Sequence, residues 1–185
     1  MGNTEKIGKR LRNYREKLKF SLADLARNTG ISEERLTEYE TGKASASIGV
    51  MIKLSRALGQ RVGTFMDDHN VSGPSITRVA EREEVIHTYK ESEDVHYRYH
   101  GLSSGKADRH MEPFYVKISP SEDISVSSHE GEEFIMVMKG QLQLIYGNET
   151  HVLNTGDTMY YNSIVPHSLS AIGGDAEICA VVYSS

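Results

Sequence analysis

Ser21-Leu-Ala-Asp-Leu-Ala-Arg-Asn-Thr-Gly30-Ile-Ser-Glu-Glu-Arg-Leu-Thr-Glu-Tyr-Glu40-Thr-Gly-Lys43 carries two helix starts and two helix stops within 23 residues. Ser21 followed by Asp24 predicts a capping box, with Leu22, Leu25 and Ala26 turned inward and Gly30 ending the helix. Ser32 is placed to cap a second short helix with Leu36 and Tyr39 inward, stopped at Thr41-Gly42. Upstream, Ile7, Leu11, Tyr14 and Leu18 recur at helical spacing, which predicts an amphipathic helix over 5–19. Downstream, Ser47 caps a stripe of Ile48, Met51, Ile52, Ser55 and Leu58 that Gly59 closes, and a fifth turn is expected near Thr64 to Asp67. Residues 1–68 therefore read as a five-helix bundle.

The texture then changes. Residues 69–75 are polar with Gly73-Pro74, a linker signal, and residues 76–185 carry short β-type runs. These are Ile76–Val79, Glu84–Tyr89, Val95–Tyr99, Phe114–Ile118, Ile124–Ser127, Glu133–Met138, Gln141–Tyr146, Thr150–Leu153, Thr158–Tyr161, His167–Ala171 and Glu177–Tyr183. Gly147-Asn148 joins two of them as a hairpin. Many short strands at regular spacing predict an all-β barrel or sandwich, so the fold class is α + β in two domains.

The formal charge of −5 is unevenly distributed. Residues 1–68 hold 13 Lys+Arg and 9 Asp+Glu, whereas the remainder holds 8 and 17, giving +4 and −9. A mildly basic head could meet phosphate that the acidic body would repel. The polar start has no apolar signal region and no run is long enough to span a bilayer, so a cytoplasmic protein without a membrane partner is expected. The single Cys179 lies in the apolar run 178–182 and reads as a small core residue.

With its Leu25-Ala26 pair, turn Gly30, Ser32 cap and Glu40-Thr-Gly42 ending, the quoted segment resembles the XRE, or phage-repressor-type, helix-turn-helix family across residues 6–66. The resemblance implies operator DNA as a partner. Ser32, Glu33, Glu34, Thr37 and Glu38 would face base edges, and Arg35, Lys43 and Arg12 would meet phosphates. Four glutamates among residues 32–43 oppose a polyanion, and Leu22 stands where the family often has Gln. A head that has lost DNA contact is the alternative.

Ser127-Ser-His129-Glu-Gly-Glu-Glu133 through Gly140, followed by Gly156-Asp157 through Pro166-His167, resembles the two motifs of the cupin (jelly-roll) barrel over about residues 110–183. Alternation along a strand would turn Ser127, His129 and Glu133 into the barrel mouth, with His167 facing them. Metal-binding cupins use three His and one Glu. Ser127 takes the first His position here, leaving His129, Glu133 and His167, a two-His, one-carboxylate set. The expected cofactor is a weakly bound divalent ion (Fe, Mn or Zn), the alternative a metal-free hydrogen-bonding pocket. Ser127, Tyr97, Tyr99 and Tyr161, with Tyr160, are candidate walls of an effector pocket. Met136 and Met138 read as barrel core, Glu130 and Glu132 as a solvated turn, and His96, His100, His110 and His151 as surface or pairing residues.

A repressor-type head followed by one cupin resembles bacterial transcriptional regulators that sense a small-molecule effector and dimerise through the cupin. The layout also resembles the hydroxypropylphosphonate epoxidases, mononuclear non-haem iron enzymes acting on a small anionic substrate, in which Lys19 would reach the substrate. A DNA-binding protein with an empty dimerisation barrel is a third expectation.

Overall fold

In the computed structural model, residues 2–66, 73–89, 95–106, 109–121 and 126–183 are described. The head comprises α1 (Asn3–Lys17), α2 (Leu22–Thr29), α3 (Glu33–Thr41), α4 (Ile48–Ala57) and α5 (Val62–Met66). Its helix starts follow the capping signals: Ser21 forms the reciprocal box with Asp24, Ser32 accepts from the Arg35 amide, and Ser47 accepts from the Val50 amide. Left-handed Gly30 and Gly42 end α2 and α3. Leu18 departs from the expected stripe and is 42 % exposed, because α1 ends at Lys17 and Lys19 turns the chain at φ 59°. The last helix spans Val62–Met66, earlier than the expected turn, and Asp67 lies outside the described residues.

Leu11, Leu25, Leu36, Met51, Ile52, Leu54, Leu58 and Phe65 fill the head, with the Tyr14 ring edge-on to Phe65 at 5.4 Å. A buried ion pair ties α1 to α3. Arg15 Nε lies 2.6 Å from Glu40 Oε1 and its Nη2 lies 2.7 Å from Oε2, while Nη1 donates to the Phe20 carbonyl at 2.9 Å.

The body contains β1 (Glu84–Tyr89), β2 (Val95–Gly101), β3 (Met111–Ile118), β4 (Glu132–Lys139), β5 (Gln141–Tyr146), β6 (Glu149–Asn154), β7 (Thr158–Asn162), β8 (His167–Ala171) and β9 (Ala176–Tyr183). They pair antiparallel in a six-stranded sheet, β1-β2-β3-β9-β4-β7, and a three-stranded sheet, β6-β5-β8. Ile135 and Val137 from one sheet and Leu142 and Leu144 from the other are fully buried in the shared core. This two-sheet arrangement is the jelly-roll expectation in outline.

Three expectations need correction. Ile76–Val79 is not a strand; it leads into a 3₁₀ turn at Val79–Glu81, and Ile76 and Val79 are exposed and pair with no strand among the described residues. Met136 and Met138 are not core. Glu133, Ile135 and Val137 take the inward positions of β4, so the two-residue period sends both methionines outward, 41 % and 47 % exposed. Cys179 lies between inward Ile178 and Ala180 and is half-buried on the outer side of β9. The expected run Ile124–Ser127 is mostly outside the described residues, and Ser127 makes an isolated antiparallel bridge to His167. The expected linker 69–75 is likewise described only from Gly73 onward.

Head and body are packed together, and one apolar core runs through both. Asn3 Nδ2 donates to the carbonyls of Glu84 and Val85 at 3.1 and 3.0 Å. Arg61 donates to the Arg109 carbonyl at 2.9 Å, and the Gly63 amide donates to buried Glu112 Oε1 at 3.1 Å. Arg109 Nε holds the other Glu112 oxygen at 2.7 Å. Arg56 pairs with Glu130 across the seam, so Glu130 is exposed as expected but has a partner.

Candidate metal centre and cavity

Three elements bring the site together. His129 lies in the turn before β4 rather than on a strand, Glu133 is on β4, and His167 opens β8. Two backbone hydrogen bonds between Ser127 and His167, 2.8 and 2.9 Å, and one from the His129 amide to the Ser163 carbonyl, 3.0 Å, lock these segments against each other. One donor atom from each of His129, Glu133 and His167 lies within 4.8 Å of the others, and all three residues are buried.

The ring nitrogens are sorted by their outer partners. His129 Nδ1 faces the Glu130 carbonyl at 3.2 Å and His167 Nδ1 faces the Val165 carbonyl at 2.8 Å. A carbonyl only accepts, so each Nδ1 carries a proton, and Nε2 is the nitrogen directed inward. Both Nε2 atoms converge on Glu133 Oε1, at 2.9 Å from His129 and 3.4 Å from His167. His129 Nε2 is buried, yet makes no hydrogen bond of acceptable geometry. A convergent, under-used pair of imidazoles beside a carboxylate is the donor set that a borderline divalent ion accepts.

Glu133 is held from its other side by the Tyr161 hydroxyl, donating to Oε2 at 2.9 Å, and by Ser163 Oγ, 3.2 Å from Oε1. Burial alone pushes the Glu133 carboxyl up, but its close contacts with His129 and His167 outweigh burial and lower the carboxyl to about 2. Burial pulls His167 down, and its contact with Glu133 more than reverses this, leaving it above its ordinary value. Burial pushes the phenols of Tyr97, Tyr99 and Tyr161 well up, so all three stay neutral donors.

Above the triad lies a cavity of about 710 Å³, within the range of small-molecule sites. Ser127, Tyr97 and Tyr99 line it beside His129, Glu133 and His167. Tyr161 does not; it sits behind Glu133 as a positioning partner. Tyr97 donates to the Leu169 carbonyl, and exposed Tyr160 bonds Glu132 outside the site. The opposite wall belongs to the head: Arg35, Tyr39 and Lys43 face the triad side, with Ile48 and Gly49 at the start of α4. Lys19 is not among the lining residues.

Comparison with known proteins agrees with this division. A helix-turn-helix family model matches residues 11–64 and a cupin-domain model matches residues 114–183. The chain joins a helix-turn-helix domain to a cupin domain. It is 24% identical over 183 residues to (S)-2-hydroxypropylphosphonic acid epoxidase of Streptomyces wedmorensis, covering 92% of each chain. It is 23% identical over 176 residues to the HTH-type transcriptional regulator PuuR of Escherichia coli K12, covering 95% of this chain and 91% of the relative. Among solved structures, an HTH_3 family transcriptional regulator from Vibrio cholerae superposes with a TM-score of 0.73 at 22% identity, over 98% of this chain and 97% of that one. At these identities the superposition speaks for the fold.

On the helix-turn-helix domain, Ser32, Glu33, Glu34 and Thr37 are exposed near the start of α3. Thr37 Oγ1 donates to the Glu33 carbonyl at 2.8 Å, and Glu38 is tied to Arg35 at 2.6 Å. Arg12 is exposed and paired with Glu16 at 2.8 Å. Of the other histidines, His96 is buried, His110 is exposed and His151 pairs with Glu149 at 3.1 Å. No sequence signal marks Ser163 behind the cupin site, or Arg35 and Lys43 on the cavity wall. Both roles depend on contacts between segments far apart in the chain.

Proposed function

We propose that the protein is a DNA-binding transcriptional regulator whose cupin domain senses a small-molecule effector. The observation that carries the reading is the shared wall: a helix-turn-helix domain with an exposed α3 start also closes the cupin cavity over a buried His/Glu/His set. His129, Glu133 and His167 would hold a divalent ion, Fe, Mn or Zn. When bound, the ion supplies Lewis acidity and open coordination positions for an oxygen- or nitrogen-bearing effector. The chain's own side chains do the rest. Tyr97 and Tyr99 offer neutral amphipathic walls, and Tyr161 and Ser163 orient the carboxylate.

Binding to the protein's own upstream DNA, followed by fluorescence anisotropy, tests the regulator reading. Thr37→Ala is expected to change the ranking of operator variants, by about 1–3 kcal/mol at the affected base pair. Lys43→Ala is expected to weaken all sequences alike and flatten the salt dependence. Uniform loss for both variants would remove Thr37 from the reading set.

A second reading, a mononuclear iron oxidase or epoxidase acting on a small anion, is favoured by the cations Arg35 and Lys43 opposite the triad and by the likeness to the phosphonate epoxidase. Failure to bind any upstream fragment at low salt, together with iron uptake, would select it. A purely structural barrel fits poorly with three buried, convergent donor groups.

An operator-reading dimer would be joined through the six-stranded sheet. Its outer face carries Met136 opposite Cys179 and Cys179 opposite Tyr115, with Met111, Met138, Tyr160 and Tyr183 exposed around them. Exposed apolar side chains on a sheet face, here interspersed with Arg82 over Tyr115 and the Lys139–Glu177 pair, make it a candidate self-association surface. Met136→Lys is expected to convert a dimer to a monomer at micromolar concentration, read by light scattering. A wild-type monomer under those conditions would overturn the dimer assignment.

A further inference from the structure

We infer that α4 of the head is the outer support of His129, so that the seating of the head on the cupin and the hold on an ion are one coupled equilibrium. This rests on the metal-site part of the reading above. The helix has two working faces. Met51, Leu54 and Ser55 are buried in the head. Gly49, Ile52, Lys53 and Arg56 follow the i, i+3, i+4, i+7 spacing of a single stripe on the opposite side. Ile52, Lys53 and Arg56 line a cleft shared with Ser128, His129 and Glu130 of the body.

Both ends of that stripe bear on His129. A Cβ on Gly49 would collide with Ser127 Oγ and stand 3.2 Å from His129 Cδ2, the ring carbon bonded to the inward Nε2. Gly49 has no positive φ, and alanine is the better helix former at such a position. Bare backbone is needed there for the ring, not for the helix. Two turns on, Arg56 pairs with the Glu130 carboxylate, and the Glu130 carbonyl accepts from His129 Nδ1 at 3.2 Å. The body's own bond from the His129 amide to the Ser163 carbonyl, 3.0 Å, fixes the main chain. The outer partners of a metal ligand set its orientation, and losing one costs 10- to 100-fold in affinity. Here part of that support comes from the other domain. A shift of α4 is therefore felt at the ring, and by reciprocity an ion that fixes the ring steadies α4.

The test uses the full chain with Mn(II) alone as the probe, and folding of each variant is checked by circular dichroism. Titration calorimetry is expected to show about tenfold weaker Mn(II) binding in Gly49→Ala. Arg56→Ala is expected to lose about two- to fourfold, because its pair with Glu130 is exposed; the loss should shrink at high salt and be rescued by Arg56→Lys. Hydrogen exchange gives the reciprocal readout. Mn(II) should slow exchange of the α4 amides in the wild type and leave them unchanged in His167→Ala, which lacks a ligand. A folded Gly49→Ala that binds Mn(II) as tightly as the wild type would overturn the coupling and leave the metal site in place. Weaker binding in the variants with no slowing of α4 in the wild type would also overturn it, since that pattern marks local damage at the ring. A wild type that takes up no ion would overturn the inference and the metal site together. Should Gly49→Ala fail to fold, Arg56→Ala, its lysine rescue and the exchange experiment decide the matter by the same outcomes.

Discussion

Replacing His167 with alanine is expected to reduce divalent-metal affinity by more than ~100-fold, measured by titration calorimetry with Mn(II) or Zn(II). Loss of an outer partner of a metal ligand costs 10- to 100-fold, and loss of a ligand from a three-donor set exceeds that. His129→Ala is expected to do the same. The cupin domain should stay folded in both, because its core is built from Phe114, Ile118, Ile135, Val137, Leu142 and Leu144, away from the mouth. The pH dependence follows from the geometry. Glu133, lowered to about 2, remains a carboxylate throughout the working range. His167, raised above 6.5 by Glu133, must lose its proton before Nε2 can coordinate. Metal affinity should therefore fall as pH drops, beginning above the ordinary histidine range. In the metal-free chain the sign is opposite. The His167–Glu133 pair contributes stability that is present below pH 6.5 and lost as pH rises through the folded His167 value. A wild-type protein that takes up no ion at saturating concentration would leave the three residues as a hydrogen-bonding pocket.

The second large effect lies in the head. Glu40→Ala is expected to destabilise the helix-turn-helix domain by about 3–5 kcal/mol, the cost of leaving a buried charge without its partner. Arg15 is enclosed and bound to both Glu40 oxygens, and it also reaches the Phe20 carbonyl at the end of α1. Removal of Glu40 strands the guanidinium and loosens α3 from α1 together. Thermal unfolding followed by circular dichroism should show an early transition of helical signal with the β signal retained. A melt unchanged within ~1 kcal/mol would mean that water satisfies Arg15, and that the pair contributes as little as a surface ion pair.

Much of this architecture could be read before any coordinates, and the reasons are local. Ser21, Ser32 and Ser47 announce α2, α3 and α4 because a cap needs only an amide three residues away. Gln141–Tyr146 and His167–Ala171 were legible to the residue because alternation and a turn bound them. The grouping of His129, Glu133 and His167 was implied by the cupin resemblance, whose two motifs carry them on short segments. The failures share a different cause. The hydrophobicity of Met136 and Met138 points to the core, whereas the parity set by Glu133 sends them outward. Ile76 and Val79 have strand-like side chains, yet among the described residues no strand pairs with them. Arg35 and Lys43, expected to meet phosphate, also line the cavity, which only the packing of head on body brings about. Tyr161 was placed on the pocket wall for the same lack of long-range information, and it buttresses the carboxylate instead.

Ser127 and Gly49 now carry a meaning beyond their own contacts. A serine at the first ligand position reads at first as a loss, a metal site with a donor missing. The structure fills that space with the backbone of α4, since even a methyl group on Gly49 would collide with the Ser127 hydroxyl. An imidazole at position 127 would occupy the room the helix now uses. Ser127→His would strengthen the ion's hold and evict the lid in the same stroke. Within this geometry a fully ligated ion and a lid resting on it are alternatives. The chain has kept the lid, and an ion held by His129, Glu133 and His167 would keep a position open toward it.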